Sequence, residues 1–451
     1  MSGKVAFLGL GAMGFGMATN LIKKSFHVTG FDVYAPTLSR FTAAGGHVSS
    51  TPKETVLDAQ YVIFMVATAA QILTALFDDT TGAIHNLEPD AIVILSSTGP
   101  PEHVPLVRKL LDEKYNRRDI ELVDAPVSGG TIRAANGTLT ILAAGLESAL
   151  LKARPVLDAM AGENLHIISG GLGAGTNVKM VHQVLAGIHI AMTSEAMGFV
   201  AALGLDTRIA FEILRKGRGS SWMFENRTPH MLVEDTTVYS ALNIIVKDIG
   251  IVTAGGRSSS FPLFLSSTTE QILTSGVSSG LGLIDDSSLV QIYLPQSPLA
   301  VLKLASSSSS AATLSSTDHS RLLLVEKIMA GVHLAAAAEA MSLGVTVGLE
   351  PKKLVEIIAG AAGSSAMFVE GATQLLSGVW KEGVACVDDV VAQLTEAVEE
   401  AHKLKYPLYL TGTALQLFQL AKLKGLGKEP GIAVSRVWDG VDGPLFPRAG
   451  V

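Results

Sequence analysis

Lys4-Val5-Ala6-Phe7-Leu8-Gly9-Leu10-Gly11-Ala12-Met13-Gly14 is the stretch from which the rest of the chain is read. Lys4 to Leu8 has the composition of a short buried strand and runs into a glycine-rich turn of G-x-G-x-x-G spacing. In a dinucleotide-binding turn Gly9 permits the tight reversal, Gly11 lets the backbone approach a pyrophosphate, and Gly14 lets the next helix pack close to the strand. Ala12 and Met13 open that helix, whose free N–H groups and dipole favour negative charge. Such turns are common, so the motif gains weight from the residues beyond it. Phe15 to Lys24 has helical composition, His27 to Phe31 reads as a second strand, and Asp32 ends it, 18 residues beyond Gly14. A carboxylate there can accept from both ribose hydroxyls of an adenosine and repels a 2′-phosphate, which favours NAD. NADP stays open through Arg40, which a loop could bring to a phosphate, and without the motif Asp32 is an ordinary strand-end turn residue.

Composition narrows the partners. The 451 residues, 48% hydrophobic, can bury several cores and suggest two or three domains. The net charge of −7, with no Lys/Arg block, gives nucleic acid no electrostatic footprint. A single cysteine, Cys386, excludes an internal disulfide and suits a reducing compartment. Gly, Ala and small polar residues interrupt the apolar runs before the roughly 18 to 20 residues of a membrane span, so no membrane partner is expected. The chain starts on a strand without a leader-like segment, which makes the cytoplasm the expected location.

Strands are expected at Tyr61 to Met65, Ala91 to Ser96, Glu121 to Asp124 and Leu139 to Ala144, alternating with helical or loop segments. This pattern predicts an α/β domain over 1–170 with a doubly wound, mostly parallel sheet. Glycines at 170–175 punctuate a boundary, and from Thr176 to Leu203 apolar residues recur at helical spacing without proline, reading as one long interdomain helix. The remainder reads as helical, apart from a serine-rich interval, 305–316, that has the composition of a flexible linker.

The helical region repeats itself. Val184-Leu185-Ala186-Gly187-Ile188-His189-Ile190-Ala191 returns 144 residues later as Ile328-Met329-Ala330-Gly331-Val332-His333-Leu334-Ala335, and Glu195-Ala196-Met197 returns as Glu339-Ala340-Met341. Two tandem all-α domains are therefore expected, 171–295 and 319–440, joined by a linker over 296–318. The repeat acts as an internal control: Lys179 becomes Leu323, Lys247 becomes Ala392 and His182 becomes Glu326, whereas His189 and Glu195 persist. Residues kept in both copies read as structural, and those confined to the first as functional, with drift at exposed positions as the alternative.

The repeat and the strand ends single out the chemistry-bearing residues. Ser128, Gly129 and Gly130, after the strand that ends at Asp124, can form an anion nest for a substrate carboxylate, or be a simple strand-ending turn. Lys179, in the first turn of the long helix and so expected at a cleft, would lose solvent beside a positive helix terminus. Both effects lower an amine's pKa and suit a base that takes an alcohol proton. His182 and Gln183, one turn on, are candidates to hydrogen-bond the substrate. His189 shares their face but recurs as His333 with no third ligand at metal spacing, so it reads as a core or interface residue and no metal is expected. No nucleophile elbow follows a strand, and Cys386 carries no sign of activation.

Gly9 to Gly14, Met17-Ala18-Thr19-Asn20-Leu21, Ser97-Thr98, Asp124 to Gly130, Gly173 to Lys179 and Lys247-Asp248 together resemble the β-hydroxyacid dehydrogenase family, over about residues 3 to 294. The resemblance implies a Rossmann domain, an all-helical C-terminal domain and NAD(P)-dependent oxidation of a small β-hydroxy acid of the L-threonate or 3-hydroxyisobutyrate kind. It implies Lys179 as catalytic acid/base, a carboxylate site at Ser128-Gly129-Gly130, and Val66, Ala67, Gln71, Thr98 and Lys247 around the cofactor. Ala67 stands where many members have proline, and His182-Gln183 where many have two asparagines; Lys-x-x-His-Gln is similar to the L-threonate branch. The histidine and the duplicated helical domain also resemble 6-phosphogluconate dehydrogenases, against which Asp32 speaks, with only Arg448 of the tail as a distant phosphate ligand. Reductases of small aldehydes or imines, and a nucleotide-binding protein without catalysis, are the rival functions. Simpler members pair their helical domains between subunits, so the second copy is expected to form an intramolecular pseudo-dimer, with a homo-oligomer as the other arrangement.

Overall fold

Nine strands alternate with helices in the first part of the chain: β1 (Lys4–Leu8), β2 (His27–Phe31), β3 (His47–Val48), β4 (Tyr61–Phe64), β5 (Ile92–Leu95), β6 (Glu121–Asp124), β7 (Val127–Ser128), β8 (Thr140–Gly145) and β9 (Leu165–Ile167). The computed structural model describes residues 3–306, 315–379, 385–441 and 443–447. It divides into two compact units, Met1–Lys179 and Met180–Val451.

In the first unit the strand order is β3-β2-β1-β4-β5-β6-β8-β7, with β9 beside β8. Strands β1 to β6 pair in parallel, while β8 runs antiparallel to β6 and β7. Successive side chains leave a strand on opposite faces. Phe7, Ile63, Ile94 and Val123 accordingly pack with Met17 and Leu157 on one face, and Leu8, Val62, Val93 and Leu122 with Ile72 and Val107 on the other. Burial on both faces is why these strands read as continuous apolar runs. The order reverses between β1 and β4, and the carboxyl ends beside that point form the crevice in which such sheets bind ligands.

The long helix is Ala174–Ala202, so the division after Lys179 falls inside it and not at the preceding glycines. In the second unit Thr207–Leu214, Trp222–Met231, Leu242–Ser258 and Phe264–Gly276 recur as Pro351–Ala359, Ala366–Ser377, Val387–Lys403 and Tyr409–Ala421, and a second long helix spans Ser316–Thr346. Met180–Val451 forms one compact unit that holds both copies. Reciprocal contacts join the copies. Glu195 accepts from the backbone N–H groups of Leu410 and Thr411 and from Thr411 Oγ1, at 2.7–2.9 Å. Glu339 does the same with Leu265, Ser266 and Ser266 Oγ, at 2.7–2.9 Å. Each buried carboxylate thus caps a helix of the other copy. Trp222 N donates to Ser364 O, Ala366 N donates to Ser220 O, and the ring centroids of His189 and His333 lie 4.2 Å apart, the planes tilted by 57°. This reciprocity is that of an isologous contact.

Two expectations need correction. The interval 296–318 read as a linker includes the helix Ala300–Lys303 and the start of the second long helix; its residues 307–314, like Arg448, lie outside the described residues. Ala174–Ala202 and Ser316–Thr346 are both long and apolar enough to cross a bilayer, contrary to the sequence reading, but their most apolar windows are 100% and 83% buried inside the protein. Their hydrophobicity serves the core.

Candidate active site

The glycine turn has the geometry its sequence demands. Gly9 has φ +99°, and a Cβ on it would stand 2.3 Å from Met65 O; one on Gly14 would stand 1.9 Å from Gly9 O. Gly11 differs, because a Cβ there meets nothing within 4 Å. It opens onto free space at the start of the helix Ala12–Lys23, a cradle that a side chain would fill and a pyrophosphate fits. Asp32 is held beside it: Oδ2 accepts from Leu10 N at 2.7 Å and Oδ1 from Tyr34 N at 2.9 Å. Arg40 lies over the ring of Phe15, 4.6 Å from its centroid. After β4, Val66 N donates to Ser97 Oγ (2.9 Å), while Ala67 N and Thr68 N donate to Gln71 Oε1 (2.9 and 3.1 Å). Gln71 thereby closes a capping box on the helix Ala69–Phe77. Thr98 follows Ser97 beyond β5, so these four candidates gather at the carboxyl ends of neighbouring strands.

At the end of β6, Asp124 performs a task the sequence reading did not assign. Its Oδ1 accepts from Thr176 Oγ1 at 2.6 Å and its Oδ2 from Thr176 N at 2.8 Å. This supplies acceptors to the first turn of the long helix, where backbone donors lack intrahelical partners. Burial pushes the Asp124 carboxyl up to about 6, against the lowering effect of those hydrogen bonds. A Cβ on Gly175 would stand 2.2 Å from Leu142 O, so the same turn is pressed onto β8. Lys179, buried at 6% exposure, thus stands one turn into a helix anchored to the sheet. Ser128 ends β7, and Gly129 (φ +138°) and Gly130 (φ +70°) adopt conformations that favour glycine, presenting successive backbone N–H groups.

In the second unit a buried chain of hydrogen bonds runs through His182. Gly363 N donates to His182 Nε2 at 3.0 Å, His182 Nδ1 meets Gln183 Oε1 at 2.9 Å, and Gln183 Nε2 donates to Asp248 Oδ2. Lys247 Nζ is 3.2 Å from Asp248 Oδ1, at ion-pair distance though outside hydrogen-bond geometry. Lys179, His182 and Gln183 follow i, i+3, i+4 spacing on one helix face. Asp248 stood in the sequence only as part of the Lys247-Asp248 motif and Gly363 only as part of the repeat; their link through His182 and Gln183 was not read, because only the fold brings them together.

A family model described as the NAD-binding domain of 6-phosphogluconate dehydrogenase matches residues 4–171. A second, described as NAD-binding of NADP-dependent 3-hydroxyisobutyrate dehydrogenase, matches residues 173–293 and again 322–438. The chain belongs to the β-hydroxyacid dehydrogenase family. Within this family it is 38% identical to an L-threonate dehydrogenase of Cupriavidus necator over 65% of the chain and 97% of the relative. The solved 3-hydroxyisobutyrate dehydrogenase of Salmonella typhimurium is 35% identical, with TM-score 0.59 over 65% of the chain and 100% of that structure. A 6-phosphogluconate dehydrogenase of Plasmodium falciparum, at 15% identity, shares the fold over 93% of the chain and 92% of its own, with TM-score 0.66. As a β-hydroxyacid dehydrogenase the chain is a nicotinamide-dependent oxidoreductase acting on a hydroxyl group.

Proposed function

We propose that this enzyme oxidises a small hydroxy acid of the L-threonate type with NAD⁺, using Lys179 as general base. The observation that carries the reading is Lys179 itself: a buried amine on a helix whose first turn is bound by Asp124 at the end of β6. Gly9, Gly11, Ala12, Met13 and Gly14 would hold the pyrophosphate and Asp32 the adenosine ribose. Val66, Ala67, Gln71, Thr98 and Lys247 are assigned to the rest of the cofactor. When bound, NAD⁺ supplies the hydride acceptor. Lys179 takes the hydroxyl proton as the carbinol C–H bond breaks, and returns a proton in the reverse direction. The backbone N–H groups of Ser128, Gly129 and Gly130 hold the substrate carboxylate, while His182 and Gln183 belong to the substrate side of the site. NAD is preferred to NADP because Leu10 N and Tyr34 N fix the Asp32 carboxylate, and Arg40 is engaged with Phe15.

NADH formation with L-threonate and with 3-hydroxyisobutyrate, each run with NAD⁺ and NADP⁺, tests the reading. Turnover of L-threonate with NAD⁺ is expected, and silence with both acids would refute it. Lys179→Ala should lower kcat by about 10²- to 10⁴-fold while NADH binding, followed by fluorescence titration, stays close to wild type. Unchanged turnover in that variant would remove Lys179 from the mechanism.

A further inference from the structure

We propose that the second helical copy is a working part of the first copy's site: Gly363 fixes His182 as its Nδ1–H tautomer, making His182 and Gln183 positioning residues for Asp248 and Lys247. A backbone N–H can only donate, so His182 Nε2, 3.0 Å from Gly363 N, carries the lone pair. The proton of the neutral ring is then on Nδ1, from which it is donated to Gln183 Oε1 at 2.9 Å. Gln183 spends an amide N–H on the Asp248 carboxylate. With an obligate donor at one end and a carboxylate at the other, the chain of bonds has a single polarity. Both ring nitrogens are committed to protein groups, so His182 acts through its neighbours. The glycine matters sterically: a Cβ at 363 would stand 3.1 Å from His182 Cδ2 and from its carbonyl oxygen.

The other half of the unit is a built-in comparison. Glu326, at the position equivalent to His182, accepts from Arg218 N at 2.9 Å, beside Gly219, the equivalent of Gly363. Each copy therefore grips the other's loop. Only in the half that carries His182 does the grip continue through an amide to a carboxylate and a lysine, because Asp248 and Lys247 are replaced by Gln393 and Ala392 in the other. A grip of purely structural value would act alike in both halves, whereas a positioning relay acts in one.

The proposal rests on the dehydrogenase reading for its kinetic consequences but not for the tautomer. The first experiment is a long-range ¹H–¹⁵N correlation spectrum of the full chain labelled with ¹⁵N-histidine, the His182 signals being assigned by their loss in His182→Gln. The Nδ1–H pattern at neutral pH is expected; an Nε2–H or doubly protonated ring overturns the proposal. The second compares kcat and KM for L-threonate with NAD⁺, NADH affinity and Tm across four variants. His182→Phe and Gly363→Ala should lower kcat by roughly ten- to a hundredfold. His182→Gln, whose Oε1 can accept the same N–H, should recover most of that loss. Glu326→Leu should leave kcat within about twofold of wild type, whatever it does to Tm. Equal kcat losses in Glu326→Leu and His182→Phe, or wild-type kcat in His182→Phe, overturn the positioning role. If the wild type does not oxidise L-threonate, the substrate reading fails and the spectrum still decides this one.

Discussion

At the scale of single residues, the proposed preference for NAD rests on Asp32, whose carboxylate is held by two backbone N–H groups and at such a strand end would repel a 2′-phosphate. Asp32→Ala should raise the ratio of kcat/KM with NADP⁺ to that with NAD⁺ by roughly tenfold or more, through loss of charge repulsion; an unchanged ratio would show that the choice is made elsewhere. Asp32 and Lys179 could be singled out as candidates because motif spacing marks the first and the internal repeat the second, and their positions, beside the glycine turn and buried in the long helix, are as read. The partners of His182 could not be singled out. Gly363 lies 181 residues away, and a repeat that shows which residues persist does not show which of them touch.

At the scale of elements, the start of the long helix depends on one carboxylate at a strand end. The Asp124 carboxyl, raised to about 6 by burial, keeps its proton in the folded chain over a range where the unfolded chain, with an ordinary value near 3.8, has released it. Stability should therefore fall as pH rises from about 4 to about 6, by about 3 kcal/mol, and level off above that. Urea unfolding across this range in the wild type and in Asp124→Asn checks the expectation: the variant should lose this component, and parallel profiles would contradict it. The main strands and the long helix were legible from apolar runs and helical spacing, and β1, β2 and β6 match residue for residue. β3, β7 and β9 were missed because two or three residues are too few to carry a pattern, and the antiparallel course of β8 is a property of its pairing partners. Asp124 was visible only as a strand end, since its partner Thr176 is 52 residues on.

At the scale of the whole chain, the helical unit is organised by pairs of equivalent contacts. Glu195 and Glu339 each satisfy three donors of the opposite copy, and burial raises both carboxyls. Glu195→Ala and Glu339→Ala should each cost about 3 kcal/mol by stranding buried donors, and by similar amounts; wild-type denaturant stability in either would break the equivalence. A chain ending at Leu294 removes the cap on Phe264–Gly276 and the ring that covers His189. It should dimerise or aggregate in light scattering, and a stable monomer of full activity would show the second copy to be dispensable. The repeat foretold two copies but not their union in one unit, because the caps that join them link residues 215 positions apart at Glu195 and 74 apart at Glu339. The pairing of two unequal halves has a genetic consequence. In a dimer of identical subunits every substitution is introduced twice and meets its own image across the axis. Here a substitution enters one half alone, so the half carrying Leu323 and Ala392 can diverge while the half carrying Lys179 and Lys247 is left untouched.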